Sequence, residues 1–343
     1  AAIVLTYTTF GGMFSVAILD FVQMAVSMGG LLYIAWIISG LTGGVAPVIE
    51  HASAAGKLDF FPPADPWLWI TFIGAWLTMM LGSIPQQDVF QRVTSAKTAK
   101  TAVAGSVLGA SIYFVFCFVP MFIAYSATLI DPATFGALIE EDSQRVLPTL
   151  VMQHTPLIAQ ILFFGAVLSA IMSCSSATLL APSVTFAENI VKGFYPRMSD
   201  RQLLFVMRGA IVGFASAVLA VALNSESSIF GMVENAYKVT LAGAFVPLFF
   251  GAFWKRATTQ GALAAIIGGL SSWLLVEVLV GEASLVPPQL IGLVVSATGM
   301  VIGSLLPQWV GHRLPNEPDH AALHHHAAAG THHAAPGHHT PHR

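Results

Sequence analysis

The sequence predicts an all-α polytopic membrane protein, on the strength of its composition, the length of its apolar runs and the alternation of charge between them. Of the 343 residues, 55% are hydrophobic and only 9% are charged, and the mean hydropathy is +0.75. Soluble domains carry about 25% charged residues. A total of 14 basic and 17 acidic side chains cannot clothe a water-exposed exterior when several already lie outside the apolar runs. Composition therefore excludes a soluble enzyme, a nucleic-acid binder and a secreted disulfide scaffold. Cys117 and Cys174 both sit inside apolar runs, so no disulfide framework is indicated. The net charge of −3 constrains little, because in a membrane protein the placement of charge matters more than its sum.

A helix needs about 20 apolar residues to cross the hydrocarbon core. Such runs lie near 15–39, 67–90, 103–130, 156–190, 203–223, 229–254, 260–281 and 288–310, which makes eight complete spans. Residues 1–9 read as part of a ninth. With no initiating Met and no signal-peptide layout, the chain is expected to be N-terminally truncated within a helix. Lys and Arg concentrate on the cytoplasmic side of such proteins. Arg92, Lys97 and Lys100 follow the second span, Lys192, Arg197 and Arg201 the fourth, and Lys255 and Arg256 the sixth. These are alternate connections and share one side. The intervening loops are acidic, with Glu50, Asp59 and Asp65 in one and Asp131, Glu140, Glu141 and Asp142 in the next; only Lys57 and Arg145 run against the trend. The expectation is a multi-pass inner- or plasma-membrane protein, with a transmembrane core over 1–310 and the C-terminus cytoplasmic.

Ionisable and polar residues at membrane depth usually face the bundle interior or a water-filled path. Four regions qualify. Asp20 and Gln23 follow Gly11-Gly12 at the start of the first complete span. Asp20 reads either as an interface residue or as a carboxylate on a cation path. Gly82-Ser83-Ile84-Pro85-Gln86-Gln87-Asp88 interrupts the second span. Glycine and proline weaken the helix and free backbone groups for a ligand, as in the broken helices of secondary transporters; the alternative is a kink whose glutamines bond neighbouring helices. Ser169, Ser173, Cys174, Ser175, Ser176 and Thr178 lie within the fourth span. They either let helices pack closely or offer oxygens to a hard cation such as Na+. Glu234, Asn235, Tyr237 and Lys238 lie in the sixth. Glu234 and Lys238, four apart, can pair on one helix face, as a structural pair or as neighbours of a solute.

These residues carry a resemblance that spacing alone does not give. Tyr7-Thr8-Thr9-Phe10-Gly11-Gly12-Met13 with Ser15-Val16, Asp20 and Gln23 resembles the sodium/solute symporter family, in which a Gly-Gly turn precedes an Asp-x-x-Gln helix. The likeness continues in order through Gln91-Arg92, Ala96-Lys97, Met172-Ser173, Phe186-Ala187-Glu188-Asn189-Ile190, Phe253-Trp254-Lys255-Arg256-Ala257-Thr258 and Gly261-Ala262. It covers about 1–310. The resemblance implies an inverted-repeat five-plus-five helix transporter fold and Na+ as the coupling ion for uptake of an organic solute. It places the sodium site at Ala170, through its carbonyl, and at Ser173 and Cys174, with Asp20 on the sodium exit path. Cys174 departs from the pattern, since the family commonly has Ser or Thr there and a thiol is a poor ligand for a hard cation. It also implies a solute site that includes Glu234, beside Gln86, Gln87 and Tyr237. The Gly82–Gln87, Leu147–Val151 and Met172–Ile190 segments are most similar to the choline-transporter branch. That branch has a tryptophan after the proline of the broken helix, whereas Gln86 stands here, and an amide suits a hydrogen-bonding solute better than a quaternary ammonium.

Ten of the 12 histidines lie in an Ala-, His- and Pro-rich tail over 311–343, whose composition argues for disorder. Imidazoles bind Zn2+, Ni2+ or Cu2+, yet their spacing fits no preformed tetrahedral site. The sequence has no His-Glu-x-x-His, Gly-x-Ser-x-Gly or Walker loop, so no enzyme chemistry competes. Sodium-coupled symport of a small polar organic solute by alternating access leads. A membrane-embedded solute sensor and a divalent-metal transporter are the alternatives, and the lipid bilayer and the solute are the expected partners.

Overall fold

A computed structural model describes residues 2–225, 228–281 and 284–310, with side chains from Ile18 onward apart from Leu19 and Asp88. The His-rich tail lies outside the described residues. Every regular element among them is helical. Among the described residues, seven helices are long and apolar enough to cross a membrane: Asp20–Thr42, Ala99–Ile130, Leu157–Phe194, Asp200–Leu223, Ile229–Phe253, Thr259–Leu279 and Pro288–Leu305. The sequence predicts eight complete spans; in place of the second, over 67–90, stands the shorter apolar helix Pro66–Gly82, which with 17 residues falls short of that length because the chain breaks before Pro85.

The described residues form two compact units, divided between Thr240 and Leu241. The first begins with α1 (Ala2–Thr42) and the short α2 (Val45–Ala54). Then come α3 (Pro66–Gly82), α4 (Gln87–Thr94), α5 (Ala99–Phe116) and α6 (Phe118–Ile130). Two short helices follow, α7 (Pro132–Asp142) and α8 (Val146–His154). The long α9 (Leu157–Thr185) passes through a wide π-helical turn at Phe186–Val191 into α10 (Lys192–Phe194). The unit closes with α11 (Asp200–Leu223) and α12 (Ile229–Thr240).

One expectation is corrected here. The Gly11-Gly12 pair does not form a turn: the backbone is helical from Ala2 to Thr42, so residues 1–9 and the first complete span belong to one helix. A helical glycine costs only about 1 kcal/mol relative to alanine, and breaking a helix in hydrocarbon would strand backbone groups that water cannot reach.

Helix ends in this unit follow local chemistry. The Asp65 carboxylate accepts from the Trp67 and Leu68 amides before Pro66 opens α3. Thr98 caps α5, and Ser199 and Gln202 cap α11 reciprocally. Asp131 caps α7 outside the spans, and its hydrogen bonds from Thr134 hold the carboxyl below its usual value. The core gathers Ile34 and Ile38 of α1, Ile123 and Ala127 of α6, Phe135 of α7, Leu150 of α8 and Phe163 of α9, all nearly fully buried. That cluster clamps α1 along α9, where Gly30 faces Leu162.

The second unit has a π-helical turn at Leu241–Phe245 leading into α13 (Val246–Phe253), followed by α14 (Thr259–Leu279) and α15 (Pro288–Leu305). Gly261, Ala265 and Gly269 recur every four residues on α14, facing Gly292, Ser296, Met300 and Gly303 on α15. A Cβ on Gly303 would stand 2.9 Å from the Gly261 Cα, so the two backbones nearly touch. Lipid offers no hydrophobic drive for helices to associate, and close packing over small residues replaces it.

Candidate functional site

The break anticipated between Gly82 and Asp88 is present. α3 stops at Gly82, residues 83–86 turn, and α4 starts at Gln87. Pro85 is the cause: it has no N–H to donate to the Leu81 carbonyl, its ring crowds that carbonyl, and it disfavours helical geometry at Ile84. Backbone groups freed by such a break need new partners. One partner is Thr240 on α12, whose hydroxyl donates to the Gly82 carbonyl at 2.5 Å. The contact requires glycine, because a Cβ on Gly82 would collide with the Tyr237 carbonyl oxygen. Gly74, Thr78 and Gly82 form the buried stripe of α3, and α12 is the helix that packs against α3.

α12 therefore brings Tyr237 to the interrupted helix, with Glu234 one turn earlier on the same helix. Glu234 Oε1 lies 3.5 Å from Lys238 Nζ, which also donates to Asn235 Oδ1 at 3.2 Å. The pair is mostly shielded, with 28% of the Glu234 side chain and 18% of that of Lys238 exposed. Across the break, Gln86 is half-buried and Gln87 exposed. No contact joins either glutamine to Glu234 among the described hydrogen bonds and ion pairs.

The second group centres on Asp20. The Ser173 hydroxyl of α9 donates to Asp20 Oδ1 in a very short hydrogen bond. Arg92, in the last turn of α4, donates to Asp20 Oδ2 at 2.9 Å. One carboxylate thus joins α1, α9 and the second half of the broken helix. Gln87 and Arg92 are five residues apart on α4, about 7.5 Å along the axis, so a short rigid element links the break to Asp20. Around it, the buried Ser176 hydroxyl donates to the Ser173 carbonyl at 2.8 Å, and Thr178 to the Cys174 carbonyl at 2.8 Å. Gln23 Oε1 is buried without a hydrogen-bond partner among the described residues, leaving an oxygen available near Asp20, one turn on.

Of the sodium residues expected from the sequence, the structure joins Asp20 and Ser173. Ala170, expected to contribute through its carbonyl, and Cys174 are exposed positions of the same helix α9. The sequence reading missed two participants. Arg92 entered as a topological charge and within the Gln91-Arg92 motif but not as a partner of Asp20, and Thr240 was not singled out. Arg92 had a signal: it follows the second span on the same side of the membrane as the start of the helix bearing Asp20. Thr240 had none, because its role depends on a carbonyl freed 158 residues away.

Comparison with known proteins converges on one family. The profile of the Sodium:solute symporter family matches residues 1–269. The osmoregulated proline transporter of Bacillus subtilis is 28% identical over 281 residues, covering 80% of this chain and 55% of that protein. The human high affinity choline transporter 1 is 29% identical over 288 residues, covering 79% of this chain and 47% of its own. The chain thus spans about half the length of the curated relatives it matches. A Na+-coupled sialic acid symporter solved in a substrate-bound outward-open state shares the fold, with a TM-score of 0.70 at 20% identity over 91% of this chain and 66% of that one. These relatives are transporters and not enzymes. The chain belongs to the sodium:solute symporter family.

Proposed function

We propose that this chain takes part in sodium-coupled uptake of a small polar organic solute by alternating access. The observation that carries the reading is the interrupted span: its last α3 carbonyl is held by Thr240, and its second half is tied to Asp20 through Arg92. Secondary transporters bind substrate and coupling ion at interrupted helices of this kind, and here the carboxylate of α1 meets a hydroxyl of α9 beside one. Sodium would use Ser173 and Asp20, with the Ala170 carbonyl and Cys174 as further positions. The solute would lie against Gln86, Gln87, Glu234 and Tyr237. The Glu234–Lys238 pair offers both an acceptor and a donor, which suits solutes of the size that the proline and choline transporters carry. Residues 1–310 would form the transporting core, with 311–343 a cytoplasmic tail. The distribution of Lys and Arg supports that orientation. The sensor and divalent-metal readings gain no observation among the described residues.

The test is the melting temperature of the purified full-length protein in detergent, recorded against a panel of small solutes in NaCl and in KCl. A ligand that binds the native state stabilises it by about 2.7 kcal/mol at a hundred times its Kd. One solute should raise the melting point in NaCl and not in KCl. Equal shifts in both salts, or shifts only with Zn2+ or Ni2+, would remove sodium coupling from the reading.

A further inference from the structure

The turn between α10 and α11 opens onto a cavity of about 1130 Å3 that the site above does not use. Its lining holds three arginines, Arg197, Arg201 and Arg208, and no carboxylate. Arg197 and Arg201 are exposed and make no ion pair among the described residues. The nearest acidic groups are otherwise placed. Glu188 is held by Lys192 at 2.8 Å, and Asp200 does not line the cavity.

Apolar surface accompanies the charge. Arg201, Leu204, Phe205 and Arg208 recur at helical spacing and share one face of α11. Phe205 is 79% exposed and Phe194, at the end of α10, is 78% exposed. The turn joins two membrane-crossing helices, Leu157–Phe194 and Asp200–Leu223, so it lies at the membrane–water boundary. Taking the orientation proposed above, that boundary is the cytoplasmic one, where anionic lipids attract basic juxtamembrane residues. Guanidinium groups suit phosphate oxygens, which they can bind bidentately, and two projecting rings beside them suit hydrocarbon. A free anion would leave the rings unused, and a neutral lipid would leave the arginines without a net counter-charge.

We infer that this cavity binds an anionic phospholipid of the cytoplasmic leaflet, with Arg197 and Arg201 on the headgroup phosphate and an acyl chain along Phe194 and Phe205. The full-length protein in mild detergent would be titrated with phosphatidylglycerol, and retained lipid counted by native mass spectrometry. Each basic residue at a membrane surface is worth about fivefold in affinity, so Arg197→Gln with Arg201→Gln should weaken retention by about thirtyfold. Lysine at both positions should restore most of it. Lys97→Gln with Lys100→Gln, on the same side of the membrane but away from the cavity, should leave it within about twofold. The inference is overturned by unchanged retention in the arginine pair, by equal loss in the lysine pair, by equal retention of phosphatidylcholine, or by full competition from inorganic phosphate. Normal melting of the arginine pair in phosphatidylcholine separates lost binding from lost fold.

Discussion

Gly82→Ala probes the interrupted helix at its tightest point. The added methyl would collide with the Tyr237 carbonyl oxygen and stand 3.1 Å from its carbonyl carbon. Both are backbone atoms of a packed helix and cannot rotate away, and the same shift would disturb the 2.5 Å bond from Thr240 to the Gly82 carbonyl. Overpacking of this type costs about 1–3 kcal/mol, while replacing a helical glycine returns about 0.5–1 kcal/mol. The net loss is about 1–2 kcal/mol. With an unfolding entropy near 2.1 cal/mol/K per residue, that lowers the melting temperature of a 343-residue chain by about 1–3 °C. Gly105→Ala is the internal control, since nothing lies within 4 Å of its would-be Cβ in the middle of α5. It should melt at or slightly above wild type, by about 1 °C. Scanning fluorimetry in detergent reads both, and uptake into proteoliposomes should fall for Gly82→Ala alone. If Gly82→Ala melts as high as Gly105→Ala and transports normally, the packing of α12 on α3 is not what holds the break.

Three further outcomes are expected. Ser173→Ala removes the hydroxyl that donates to Asp20. It should raise the Na+ concentration for half-maximal uptake about tenfold, in line with the loss of one hydrogen bond to a charged group, and an unmoved sodium dependence would take Ser173 out of the cation path. Gln86→Ala and Glu234→Ala should shift the apparent affinity for solute more than that for sodium, as read from two-dimensional uptake titrations; wild-type values in both would place the solute elsewhere. The Asp131 carboxyl titrates below its ordinary value because Thr134 bonds the charged form. Its contribution to stability is therefore complete above about pH 4 and fades as pH falls through the folded value. Asp131→Asn should flatten that part of the acid melting curve, and an unaltered curve would show that the cap adds nothing.

Much of the architecture was legible because a bilayer enforces it. Only a helix satisfies its own backbone in hydrocarbon, and its length is set by the membrane. Runs such as 203–223 and 260–281 therefore map almost residue for residue onto Asp200–Leu223 and Thr259–Leu279. Pro85 announced the break by local sterics alone, and the Glu234–Lys238 pair followed from helical spacing. Gly11-Gly12 misled because glycine marks a turn only where water or another element receives the freed backbone groups. Charge placement put Arg92 on the same side of the membrane as Asp20, but the bond between them joins partners 72 residues apart and follows only from how α4 and α1 pack.

What the sequence determined by itself is the set of helices, the alternation of charge along them, the place where one helix breaks and the family motifs strung along the chain. Those properties depend on neighbours within a few residues or on the thickness of the bilayer. Only the tertiary structure decided which oxygens meet. α1 lies along α9, so Asp20 faces Ser173, and Cys174, one residue further, points to a different side. α12 packs on α3, so the Gly82 carbonyl is taken by Thr240. A helix offers every face equally to its surroundings. Packing against particular neighbours selects one of them, and that selection is written in no single segment of the chain.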